Sequence, residues 1–133
     1  SGGTARGLAR SLPHHHIHCI AAVNDQALFA DILTSHHNLT INTDALFGGY
    51  GKVNDQLLRF CVAFFQQTGI AIEPVYSGKM FYALCYLKVL SESQLSESLI
   101  IHTGGLQGLQ GMLYRGLINE TQWQAVLKDL KRS

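Results

Sequence analysis

Charged residues are scarce in this chain. Asp, Glu, Lys and Arg make up only 14% of its 133 residues, where a soluble domain usually carries about a quarter. Together with a 47% hydrophobic content, this leads us to expect that part of the surface is covered by other protein. Ten basic and nine acidic residues leave a net charge of +1, so the chain lacks the positive field of a partner for nucleic acid or an anionic membrane. Long apolar runs are missing as well. Gly, Ser, Gln and Lys interrupt every hydrophobic segment, and none reaches the roughly 20 residues that a membrane-spanning helix needs. Cysteine is sparse and odd in number. Cys19, Cys61 and Cys85 lie far apart, which excludes a disulfide framework and a C-x-x-C zinc pair. The expected reading is buried thiols in a reducing, cytoplasmic compartment.

What is present alternates between strand and helix patterns. Thr4 to Leu12 has a helical apolar face at Ala5, Leu8, Ala9 and Leu12, with Thr4 as its candidate cap and Pro13 as its stop. His16 to Val23 reads as a strand, and Gln26 to His37 as a helix with Leu28, Phe29, Ile32 and Leu33 inward. From Asn38 to Val53 no period holds, and the glycines around Phe47 mark a loop long enough to be functional. Asn54 or Asp55 opens the strongest helix, with Leu57, Leu58, Cys61, Phe64 and Phe65 as its stripe and Gly69 as its stop. Ile70 to Val75 is extended, Gly78 to Leu90 helical, and Leu99 to His102 a buried strand. A last helix begins at Asn119, with Gln122 as a capping-box partner and Trp123, Val126, Leu127 and Leu130 on its apolar face. The pattern predicts an α/β fold with an open, mostly parallel sheet and flanking helices. Three strands are few for such a sheet. The start on Ser1-Gly2-Gly3-Thr4, without Met and unlike a signal or transit peptide, leads us to expect a preceding segment that completes it.

Four stretches could carry chemistry. Ser1-Gly2-Gly3-Thr4 stands directly before a helix, where converging backbone N–H groups and the helix dipole make either a phosphate site or an ordinary capped loop. Gly48-Gly49-Tyr50-Gly51 places a phenol in a flexible loop. Glu73-Pro74-Val75-Tyr76-Ser77-Gly78-Lys79 puts a tyrosine and a serine at the end of an extended piece, immediately before a helix that Ser77 could cap. His102-Thr103-Gly104-Gly105 follows the expected strand and precedes a helix, at the sheet edge where α/β proteins bind ligands. His14, His15, His16 and His18 form a cluster whose alternate members would share a strand face. No Asp or Glu stands nearby in sequence to orient them on a metal, and surface histidines are the expected reading.

The order of these pieces resembles the 1-aminocyclopropane-1-carboxylate deaminase and D-cysteine desulfhydrase family. Its members are similar in carrying a Ser-Gly-Gly-Thr turn, a Gly-Tyr-Gly loop, a Pro-Val-Tyr-x-Gly-Lys turn and a His-Thr-Gly-Gly turn. The resemblance implies the tryptophan-synthase-β-like fold of pyridoxal-phosphate enzymes, with residues 1–133 as the C-terminal part of the cofactor-binding domain. It implies that Ser1, Gly2, Gly3 and Thr4 cradle the cofactor phosphate, that Tyr50 and Tyr76 are the catalytic phenols, that Ser77 faces the pyridine nitrogen, and that Thr103 and Gly104 border the ring. It implies a small amino acid as substrate and a homodimer as the assembly. The cofactor-bearing lysine of the family lies N-terminal to everything in this sequence, and Lys79 does not match it. Cyclopropane-opening members carry glutamate after the tyrosine, and desulfhydrase-like members a hydroxyl residue. Ser77 therefore resembles the second group.

Overall fold

A computed structural model describes residues 2–49 and 51–132. Ser1 and Tyr50, two of the expected site residues, lie outside the described residues. The chain opens with α1 (Gly3–Ser11), followed by β1 (Ile17–Ile20), α2 (Gln26–Ser35) and β2 (Leu39–Asn42). The two strands pair in parallel, Ile17 against Leu39 through Ile20 against Asn42. A parallel pair requires a crossover, and α2 supplies it. Asp25 starts α2 by accepting the Leu28 N–H at 3.0 Å. A small core of Ala9, Ile32 and Leu39 fills the space between α1, α2 and the sheet.

The remainder is helical: α3 (Asp55–Thr68), α4 (Ser77–Cys85), α5 (Glu92–Ser96), α6 (Gly108–Tyr114) and α7 (Glu120–Arg132). Helix α3 begins where the sequence says. Asn54 accepts the Leu57 N–H at 2.9 Å, and Gly69 ends the helix in the left-handed conformation at φ 72°, which costs glycine least. The larger core is built from Leu57, Cys61, Ile72, Tyr82, Leu109, Met112, Trp123 and Val126. Asn119 caps α7 by accepting the N–H groups of Thr121 (2.8 Å) and Gln122 (3.3 Å).

Several expectations are corrected. The stretch after Asn38 is not all loop, because Leu39–Asn42 forms β2. Its period was hidden by its brevity. Leu99 to His102 forms no strand. Leu99 is 87% exposed, with Ile100 and Ile101 also exposed, so the α/β sheet has two parallel strands among the described residues. Leu33 faces solvent rather than the core. Thr4 is not the cap of α1: Gly2 takes that position in the left-handed conformation at φ 68°, without a side-chain bond. Helix α4 is shorter than its apolar pattern, running from Ser77 to Cys85.

Candidate active site

The turn into α4 is organised by a residue the sequence did not single out for chemistry. Pro74 holds Glu73 in extended geometry, and the Glu73 side chain folds forward over the helix start. One carboxylate oxygen accepts the Val75 N–H at 2.7 Å. The other accepts the N–H groups of Tyr76 (2.9 Å) and Ser77 (2.7 Å). These are the donors a helix N-terminus leaves unpaired, and the carboxylate also meets the positive end of the helix dipole. Ser77 closes the ring: its Oγ accepts the Glu73 N–H at 3.0 Å and donates back to the Glu73 carboxylate at 3.1 Å. Glu73 and Ser77 are both buried. The expected capping role of Ser77 therefore belongs to Glu73, and Ser77 locks the carboxylate in place. Glutamate four residues before serine, across a proline, is the signal that could have shown it.

Because Glu73 fills this helix terminus, no anion-binding capacity is left there. The start of α1 differs. Among the described residues its cap has no side-chain bond and its first turn no acidic residue, so the amides around Gly2, Gly3 and Thr4 meet no side-chain acceptor of that kind there. Asn38, at the start of β2, donates to the carbonyls of Ala9 and Leu12 at the other end of α1, both at 3.0 Å. The C-terminal end of helix α1 is thus tied to the start of β2. A helix start with open backbone N–H groups is the kind of feature that can accept an anion. Gly2 also packs closely, since a Cβ there would sit 2.6 Å from Ile32 Cδ1.

Two other segments reach the α4 turn. Lys79 is fully buried, and its Nζ donates to the carbonyls of Leu46 and Gly49, each at 2.8 Å, and of Ala22 at 3.5 Å. Burial lowers its pKa from the ordinary lysine value, and the nearby Glu73 charge opposes that shift. The His102 turn lies on the other side. His102 Nε2 bonds the Ala71 carbonyl at 2.9 Å, and Nδ1 accepts the Gly104 N–H at 3.0 Å. Those partners select the tautomer with its proton on Nε2. Gly105 faces Glu73, with 3.9 Å between its would-be Cβ and Glu73 Cγ. Thr103 and Gly104 are exposed beside it. A shallow depression of about 480 Å³ continues from Gly104 and Gly105 to Lys131 of α7.

The structure thus gathers the Tyr76–Lys79 turn, the loop around Gly49 and the His102–Gly105 turn about one buried carboxylate and one buried ammonium. Tyr76 is half-exposed at the head of α4. Gly2 to Thr4 form the start of α1. Cys61, behind Gly78, is not a nucleophile: burial, helped by the Glu73 charge, pushes its thiol far above the ordinary range. His16 and His18 do share a side, their rings 4.7 Å apart, and both reach Thr40 Oγ1 at 3.1 and 3.4 Å.

Comparison with known proteins gives the chain a class. The chain is 39% identical over 64 residues to a protein of Pyrococcus abyssi provisionally named a 1-aminocyclopropane-1-carboxylate deaminase, covering 47% of this chain and 19% of that protein. Proteins of Pyrococcus horikoshii and Pyrococcus furiosus with the same provisional name are each 36% identical over 66 residues, 49% of this chain and 20% of theirs. The resemblance to this deaminase family holds over about half of the chain, and the matched stretch is about a fifth of the length of these relatives. No family model matches the chain. No solved structure matches it either.

Proposed function

We propose that this chain is part of a pyridoxal-phosphate-dependent enzyme that removes ammonia from a small amino acid, within a tryptophan-synthase-β-like architecture and as a homodimer in the cytoplasm. The observation that carries the reading is the convergence of three motif segments on Glu73 and Lys79, in a chain similar to named deaminases. Bound pyridoxal phosphate would supply the electron sink for breaking bonds at the substrate α- and β-carbons. The chain's own residues would bind and position. The uncapped amides at Gly2, Gly3 and Thr4, with the hydroxyls of Ser1 and Thr4, would hold the phosphate. Thr103 and Gly104 would border the ring. The phenol oxygens of Tyr50 and Tyr76 would take and return protons at the substrate. Lys79, enclosed by carbonyls, is not the lysine that carries the cofactor.

Ser77 decides the reaction within this class. Its hydroxyl proton is engaged by Glu73, so toward a ring nitrogen its oxygen offers an acceptor without charge of its own. A neutral partner holds a proton on that nitrogen less firmly than a carboxylate does. Loss of a good leaving group such as thiol demands less carbanion stabilisation than opening an unactivated cyclopropane. D-Cysteine or a related β-substituted amino acid is therefore the substrate, giving sulfide, ammonia and pyruvate. The names of the relatives favour 1-aminocyclopropane-1-carboxylate as the second reading. Assay of the complete gene product on both substrates separates them. Sulfide release with little ring opening is the expected result, and efficient ring opening without sulfide would overturn the Ser77 argument.

A further inference from the structure

Among the described residues, Lys79 is the one buried cation that the proposed chemistry leaves without a task. Its neighbourhood is unusual for a lysine. Among the described residues the only ion pair is Arg6 with Asp31, and the oxygens of Glu73 are taken by backbone amides. The ammonium is instead met by three carbonyls, which matches its three protons. Burying such a charge is costly unless every donor is satisfied.

The carbonyls identify what it holds. Leu46 and Gly49 are the acceptors of two successive turns, the first closed by Gly49 N–H to Leu46 at 3.0 Å and the second by Lys52 N–H to Gly49 at 3.1 Å. Each carbonyl uses its second lone pair on Lys79. In and just after this stretch Phe47, Gly48, Gly49 and Gly51 all have positive φ, from 53° to 113°, a conformation that glycine adopts freely and that costs Phe47. A loop so rich in glycine and left-handed geometry has many alternatives when unfolded and little local reason to choose this one. Two external contacts choose it. The Phe47 ring stands edge-on against Tyr82, centroids 5.0 Å apart, and Lys79, one turn earlier on α4, ties the carbonyls. Its third bond, to Ala22, reaches the chain just past β1.

We propose that Lys79 is a positioning residue whose ammonium locks the Leu46–Gly49 turn, directly before Tyr50 in the sequence, against the carboxyl end of β1 and the first turn of α4. The clamp sets the loop in register with the turn that carries Tyr76. It rests, for its catalytic meaning, on the reading of the two phenols as one site, while the clamp itself is open to direct observation.

Hydrogen exchange on the complete gene product tests it. In Lys79→Met, which keeps the length and removes the charge, amides 46–52 should exchange at least about tenfold faster while α3 and α7 change less than about twofold. In Lys79→Ala, added propylammonium replaces the missing atoms and should restore the protection, whereas propanol, of similar size and uncharged, should not. Unchanged loop exchange in Lys79→Met, or equal rescue by propanol, would overturn the proposal. Should either variant fail to fold, the unaltered protein decides: NMR couplings across hydrogen bonds from Lys79 Nζ to the Leu46 and Gly49 carbonyl carbons are expected, and their absence counts against the clamp. Exchange and couplings read the loop rather than turnover. A failed substrate assay would therefore remove the enzyme reading and leave these results standing.

Discussion

Glu73 does the most with the fewest atoms. A glutamate is rarely buried unless paired, and here the partners are three backbone N–H groups and one hydroxyl. Hydrogen bonds to a charged group contribute about 1.5–3 kcal/mol where they are buried. Glu73→Gln removes the charge and turns an amide NH2 toward donors, so it should lower stability by about 2 kcal/mol. A urea midpoint that falls at constant slope is the expected record, and an unmoved midpoint would show that the carboxylate is not the cap. The same charge governs Cys61. Its thiol stays protonated because it is buried and because Glu73 disfavours a second negative charge. Cys85 is exposed, although partial burial raises its thiol too. Titration with a thiol reagent should label Cys85 in the folded chain and reach Cys61 only after unfolding. Rapid labelling of Cys61 in native buffer would contradict its placement behind Gly78.

At the scale of elements, some helix ends were legible in the sequence, while the cap of α1 and the end of α4 were not. Asn54, Gly69 and Asn119 act where their chemistry says they should, because capping is a local matter of one side chain and the next few amides. Strands were less so. Leu99-Ile100-Ile101 has the composition of a buried strand, yet composition alone does not provide a neighbour to pair with. Strand β2 shows the converse, four residues recognisable only beside β1. What joins α1 to that pair is Asn38. Its amide donates to the carbonyls of Ala9, Leu12 and His15 at 3.0, 3.0 and 3.1 Å, satisfying the end of one helix from the start of a strand. Asn38→Ala should cost about 1–3 kcal/mol by removing these bonds, although the Leu12 carbonyl keeps the His15 N–H. Asn38→Asp should cost more, since a carboxylate would face three acceptors. Thermal unfolding of the two variants checks the order, and an Asp variant as stable as wild type would refute it.

For the molecule as a whole, stability is concentrated in the larger core, and Trp123 is its largest fully buried side chain. The indole N–H has no hydrogen-bond partner among the described residues, and an unpaired buried donor costs about 1–3 kcal/mol. Trp123→Ala should destabilise by about 3–5 kcal/mol through the cavity it leaves. Trp123→Phe should cost much less, because it removes the unpaired donor together with part of the volume. Equal losses in the two variants, measured by urea unfolding, would show that the N–H is satisfied in solution. Beyond the core, exposed Leu99, Tyr86 and Tyr114 agree with the low charge of the sequence in leaving apolar surface uncovered.

The sequence by itself determined the α/β class, the positions of the main helices and the four glycine-bearing turns, since period, capping and backbone freedom are local properties. The tertiary structure alone decided which of those turns meet. Glu73 reads as a residue before a proline until its carboxylate is seen to fold over the next helix. Lys79 reads as a solvated helix residue until Leu46 and Gly49, some thirty positions earlier, bring their carbonyls to it. Neither role has a local signature, because a buried charge is defined by the partners that enclose it, and those arrive only when distant segments pack together.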